Sequence, residues 1–135
     1  MNRASCARIL ALAGTLSMAS TSTTHAGDVD LKAAEAQFKK SCGTCHTVDA
    51  GALLRQGPHL NAILGRPAGT LAEFPRYSPA LRAAGAAGLV WSEEKLDIWL
   101  TNPGAMVAGV TMPYRQADPD KRKLVIAYLK SLGAP

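Results

Sequence analysis

The chain is short of aromatics, of cysteine pairs, of long apolar runs and of repeats, and each shortage removes a class of protein. Aromatic residues make up 5% of 135 positions, too few for a base-stacking surface. The formal charge of +5 is mild beside the basic footprint of a nucleic-acid binder. Three cysteines do not supply the four ligands of a zinc ribbon, which usually needs a second Cys pair. No strong strand pattern occurs, so the βαβ setting of a thioredoxin-like redox centre is missing too. The main apolar stretch, residues 9–19, is too short to span a bilayer.

That stretch reads instead as the middle of a secretory signal. Arg3 and Arg8 give a positive start, and Thr24-His25-Ala26 ends in a small residue suited to cleavage before Gly27. Cys6 precedes the apolar stretch, the wrong order for a lipoprotein. The expected organisation is a signal peptide over 1–26 and one exported domain over 27–135, with no membrane anchor after cleavage and a periplasmic location. Losing Arg3 and Arg8 leaves thirteen basic against ten acidic residues, a net +3. Cys6 leaves as well. Both remaining cysteines lie in one motif, so the exported domain has no disulfide in a compartment that permits one.

That motif is Cys42-Gly43-Thr44-Cys45-His46, the spacing of c-type haem attachment. Two thiols three positions apart can each form a thioether to one haem vinyl group. The imidazole that follows then lies under the ring, where a nitrogen reaches the iron. Gly43 and Thr44 are small and let the backbone approach the porphyrin edge.

Around the motif the pattern is helical. Residues 28–41 form an amphipathic helix capped by Asp28 or Asp30, with Leu31, Ala34 and Phe38 as its apolar stripe. Residues 47–77 are rich in Gly and Pro, with one helical turn expected over 60–64. Ser78-Pro79 starts a helix that runs to about Ala84, and residues 83–88 form a small-residue connector. Ser92 caps a further helix whose apolar face is Leu96, Trp99 and Leu100, stopped by Asn102-Pro103. A loop over 103–117 precedes a last helix that starts at Asp118-Pro119. Its stripe is Leu124, Val125, Tyr128, Leu129 and Leu132. The fold class is all-α, with loops so long that a cofactor is expected to fill the middle.

Iron held by His46 needs a second axial partner or stays open for chemistry. The candidates are His59, Met106 and Met112. His59 follows His46 by thirteen positions, a tether short enough to keep it on the same side. Met106 has packing as its ordinary role. Met112 precedes Pro113, whose rigidity favours it. A neutral, soft thioether raises the reduction potential relative to two imidazoles, and iron occupied on both faces suits electron transfer better than catalysis.

Taken in order, the landmarks Phe38, Cys42 to His46, Gly57-Pro58-His59-Leu60, Gly65-Arg66, Tyr77-Ser78, Trp91, Trp99-Leu100, Asn102-Pro103, Met112-Pro113 and the final 124–129 helix resemble the soluble class I c-type cytochromes. The resemblance covers about residues 30–133. It implies one haem c bound through Cys42 and Cys45, with His46 and Met112 on the iron. It implies that the Pro58 carbonyl accepts the other ring N–H of His46. Arg66 is expected to neutralise a haem propionate, Tyr77 and Trp91 to donate hydrogen bonds toward a propionate, and Trp99 to line the haem face near Met112. The terminal helices are expected to cross at Ala34 and Phe38 against Val125 and Tyr128. Two departures stand out: the stretch Phe74-Pro75-Arg76-Tyr77 is one residue longer than in mitochondrial forms, and the dense lysine ring of those forms is absent.

The function these readings imply is a monomeric electron carrier, not an enzyme. It moves one electron between a membrane respiratory complex or dehydrogenase and an oxidase, reductase or other terminal acceptor. The competing readings are a small haem peroxidase or nitrogen-oxide-handling protein with displaceable Met112, and a dedicated electron-transfer subunit of an oxidoreductase. Lys39, Lys40 and Arg55 are candidates to edge a docking surface. Lys121, Arg122 and Lys123 stand at a helix start, where the dipole disfavours cations; a contact role and plain solubility both explain them.

Overall fold

A computed structural model describes residues 29–133; the expected signal peptide and Asp28 lie outside them. Five helices follow in order: α1 Leu31–Ser41, α2 Pro79–Ala86, α3 Glu93–Thr101, α4 Pro103–Met106 and α5 Pro119–Ser131. Each begins where a short polar side chain satisfies free backbone N–H groups. Asp30 accepts from the N–H groups of Lys32 and Ala33 at 2.9 and 3.2 Å. Ser78 accepts from Leu81 at 3.2 Å and Ser92 from Lys95 at 3.1 Å. Asp118 accepts from Asp120 and Lys121 at 3.0 and 3.3 Å.

The terminal helices cross. Ala34 is fully buried, and its single methyl lets α5 approach α1 closely. One turn on, the rings of Phe38 and Tyr128 meet at 5.1 Å between centroids. α5 also packs on α3, so its buried arc is wider than the sequence stripe: Ile126 is buried alongside Val125 and Leu129. At the other end of α1 the stripe overshoots. Leu31 is 52% exposed, because the first turn extends beyond the crossing.

Three local expectations are corrected. The helix begun by Ser78 continues to Ala86, into the stretch read as a connector. Gly85 sits against the Ala68 backbone, where a Cβ would fall 1.8 Å from the Ala68 carbonyl oxygen. Only glycine allows that approach. The loop over 103–117 opens with the one-turn helix α4, because Asn102 ends α3 and its side chain also accepts from the Ala105 N–H at 3.3 Å. The helical turn expected over 60–64 is absent: those residues form turns, and Ala62 has a φ of +49°, left-handed and incompatible with a right-handed helix.

No strand forms among the described residues; an isolated antiparallel bridge joins Pro67 to Val90. Its flanking backbone bonds, Gly65 N–H to Trp91 O at 2.8 Å and Trp91 N–H to Arg66 O at 3.1 Å, hold the glycine-rich loop beside the entry to α3. Arg122 ties the far side. Its guanidinium meets Asp97 of α3 at 2.7 Å and donates to the carbonyls of Gln116 and Ala117 at 3.0 and 2.9 Å. The basic run at the start of α5 is therefore internally paired: Lys121 with Asp118 at 3.1 Å, Lys123 with Asp120 at 3.3 Å.

Candidate haem site

Helix α1 delivers the first cysteine. Cys42 is its C-terminal cap, and its N–H reaches back to the Phe38 carbonyl at 2.7 Å. The chain then turns tightly: the N–H groups of Cys45 and His46 both bond the Cys42 carbonyl, at 3.0 and 2.9 Å. This winding puts both thiols and the imidazole on one wall. Gly43 is required here for a reason the sequence did not show. A Cβ at that position would lie 2.6 Å from the Lys39 carbonyl oxygen, so the last turn of α1 excludes any larger residue.

The His46 ring is held from two sides. Its Nδ1 lies 2.8 Å from the Pro58 carbonyl. A carbonyl only accepts, so the proton sits on Nδ1 and Nε2 keeps its lone pair. The ring lies flat against Gly57, where a Cβ would come within 2.2 Å of it. The Gly57 N–H bonds the Cys45 carbonyl and the Leu60 N–H bonds the Thr47 carbonyl, both at 2.8 Å, so the loop that supplies Pro58 is fastened to the motif itself. Burial pulls the His46 pKa below its ordinary value against the opposing pull of the Pro58 bond. The ring is neutral at neutral pH, as ligation requires.

His46 faces an apolar cleft. Its walls come from every helix except α4: Cys42 at the end of α1, Leu81 of α2, Leu96, Trp99 and Leu100 of α3, and Val125 and Leu129 of α5. Many of these residues also belong to the hydrophobic core; the cleft occupies the place where a core centre would be. Met112 and Pro113 line it, and Met106 does not, packing instead on the core's edge. The indole N–H of Trp99 donates to Met112 Sδ at 3.2 Å, and the Trp99 ring stands edge-on to Trp91 at 5.2 Å.

Tyr77, Trp91 and Pro58 line the same cleft. Burial pushes the Tyr77 hydroxyl above its ordinary pKa, against the opposing pull of the Arg66 guanidinium. Arg66 is not among the lining residues. It is half-buried, and its Nη2 donates to the His59 carbonyl at 3.0 Å. His59 is buried outside the cleft, with no hydrogen-bond partner at Nδ1. Sequence reasoning did not single out Gln56, Arg76 or Tyr114 as site residues, yet all three line the cleft. Gln56 accepts from Cys45 Sγ at 3.3 Å. No spacing rule marks them; they arrive there through the turns of two loops.

The donor set suits a haem c and little else. Burial, with Cys45 nearby, pushes the Cys42 thiol up to about 12, the reverse of the activated thiolate of a redox or metal-binding cysteine. Among the described residues no three His, Cys, Asp or Glu side chains converge on a metal position. Two thiols and a neutral imidazole on one wall, with a thioether lining the same apolar cleft, fit the attachment points, iron ligands and surroundings that a covalently bound porphyrin needs.

Similarity to known proteins agrees. The chain is 42% identical over 103 residues to the cytochrome c2 of Afifella marina, covering 76% of this chain and 82% of that one. It is 40% identical over 106 residues to the cytochrome c of Guizotia abyssinica, covering 78% and 92%. This chain belongs to the class I c-type cytochromes. The solved cytochrome c2 of Rhodospirillum centenum superposes with a TM-score of 0.72 at 35% identity, over 79% of this chain and all of that one. No protein-family model matches the chain. As a member of this family it carries one haem c, attached through the cysteine pair, and is an electron carrier rather than an enzyme.

Proposed function

We propose that this cytochrome is exported through a leader over 1–26 and works in the periplasm as a monomer. It passes single electrons between a membrane respiratory complex or dehydrogenase and a terminal oxidase or reductase. Cys42 and Cys45 would hold its haem, and His46 and Met112 would ligate the iron. One observation carries the reading: His46, with Nδ1 committed to Pro58, and Met112, with its sulfur bonded by Trp99, line one apolar cleft.

When bound, the haem supplies a one-electron couple. The protein supplies what makes that couple useful. Pro58 fixes the tautomer and orientation of His46. Trp99 orients the thioether and draws electron density from it. The apolar walls exclude water and leave few dipoles to reorganise as charge changes. Among the described residues no helix is long and apolar enough to cross a membrane, which suits a diffusing carrier. Docking is brief and partly electrostatic. Lys39 is already paired with Glu35 at 2.6 Å, so Lys40 is freer to engage a partner.

The deciding experiment is optical and redox titration of the purified exported protein. The expected result is low-spin ferric haem with a sulfur-to-iron charge-transfer band and one reversible one-electron wave. A high-spin ferric spectrum with rapid peroxide or nitric oxide binding would refute the axial assignment and move the protein toward ligand chemistry.

A further inference from the structure

His59 is a buried titratable group that the haem site does not use. It is 8% exposed and lies outside the cleft. No group among the described residues bonds its Nδ1. A proton there would be a buried donor without an acceptor, so the neutral ring carries its proton on Nε2 and keeps a lone pair on Nδ1. A second proton has only Nδ1 to go to. Arg66, which donates to the His59 carbonyl at 3.0 Å, repels that charge. Glu73 and Asp49, both exposed, attract it. Burial first, and then Arg66, hold the His59 pKa below its ordinary value against those two carboxylates.

The backbone on either side of His59 fastens the attachment motif. The Pro58 carbonyl lies 2.8 Å from His46 Nδ1. The Gly57 N–H bonds the Cys45 carbonyl and the Leu60 N–H bonds the Thr47 carbonyl, both at 2.8 Å. His59 is the one titratable side chain in the segment 57–60. We propose that His59 is a proton-operated latch on this clasp. Uncharged, its ring stays inside and the segment stays closed. Charged, the ring leaves for water, and the hold of Pro58 on His46 slackens with it.

The sign in pH follows from the two places the ring can occupy. In water it titrates near about 6.5, and inside it titrates lower. Below about 6.5 the open form therefore gains on the closed one, by up to about tenfold per pH unit, until the inside value is reached. The sign at the iron follows too. A His46 that has lost its carbonyl acceptor is a weaker donor, and ferric iron needs that donation more than ferrous iron does. The positive charge gained by His59 also opposes ferric iron. Both raise the reduction potential as pH falls, and by reciprocity reduction raises the proton affinity of His59. The effect on iron rests on the haem-site reading above; the opening of the segment does not.

The test is amide hydrogen exchange and the reduction potential of the haem-loaded protein from pH 7 to pH 5, for wild type and His59→Asn, which stays neutral. In wild type, protection of the Gly57 and Leu60 amides should fall by up to about tenfold per pH unit below about 6.5, after allowance for intrinsic exchange, while Val125 in the buried face of α5 stays protected. The potential should rise over the same range. In His59→Asn both changes should disappear. Constant wild-type protection overturns the latch and needs no variant to show it. Equal loss of protection in wild type and His59→Asn overturns the assignment to His59. Lost protection with an unmoved potential overturns the link to the iron. A wild type without low-spin haem fails the haem-site reading instead, and the exchange data still decide the latch.

Discussion

Replacing Trp99 by phenylalanine should lower the reduction potential while leaving methionine on the iron. The indole N–H donates to Met112 Sδ at 3.2 Å, and phenylalanine keeps an aromatic ring there without the donor. Drawing density from sulfur weakens its donation, and ferric iron needs that donation more than ferrous iron does. The bond therefore favours the reduced state, and its loss favours the oxidised one. A net hydrogen bond is worth about 0.5–1.5 kcal/mol. Only the difference in its strength between the two oxidation states moves the potential, so at 59 mV and 1.4 kcal/mol per tenfold for one electron the drop is at most roughly 20–60 mV. The smaller ring also loosens the edge-on contact with Trp91 at 5.2 Å, so thermal stability should fall as well, by about 1–3 kcal/mol for the lost packing. Voltammetry reads the potential, the charge-transfer band confirms the ligand, and thermal melting reads the packing loss separately. An unchanged or raised potential with the band intact would refute the reasoning, because the donor would then have no differential effect on the two oxidation states.

Met112→Ala should leave haem attached, remove the charge-transfer band and open the iron to added imidazole, while Met106→Ala should do none of these; the reverse pattern would reassign the ligand. Gly57→Ala places a methyl within 2.2 Å of the His46 ring, and overpacking of this kind costs about 1–3 kcal/mol, seen as a lower melting temperature and a poorer yield of haem-loaded protein. Arg122→Ala removes a guanidinium that links Asp97 to the Gln116 and Ala117 carbonyls. It should cost roughly 1.5–3 kcal/mol, the range for hydrogen bonds to charged groups, in chemical denaturation, with the reduction potential unmoved.

Helix starts were legible because a cap is a local event: Asp30, Ser78, Ser92 and Asp118 each bond N–H groups two or three residues away, so neighbouring residues suffice to indicate them. The attachment motif was legible for the same reason, its turn closing on the Cys42 carbonyl within the pentapeptide. Legibility failed wherever a residue's environment came from elsewhere in the chain. Leu31 fits the helical stripe yet is exposed, because where α1 ends relative to α5 is a property of both helices. Gly85 looks like filler until Ala68, seventeen positions earlier, packs against it. Arg122 looks like surplus charge until α3 supplies Asp97.

What the sequence determined alone is the covalent chemistry and the helical class, because thiol spacing, capping and apolar period act over a few residues, where bond geometry leaves little choice. Only the tertiary structure decided which other side chains share the cleft: Gln56, Arg76 and Tyr114 in, Arg66 and His59 outside the lining. Those outcomes depend on how loops of glycine and proline return to a core left open at its centre, and no short-range rule encodes where a returning loop comes to rest.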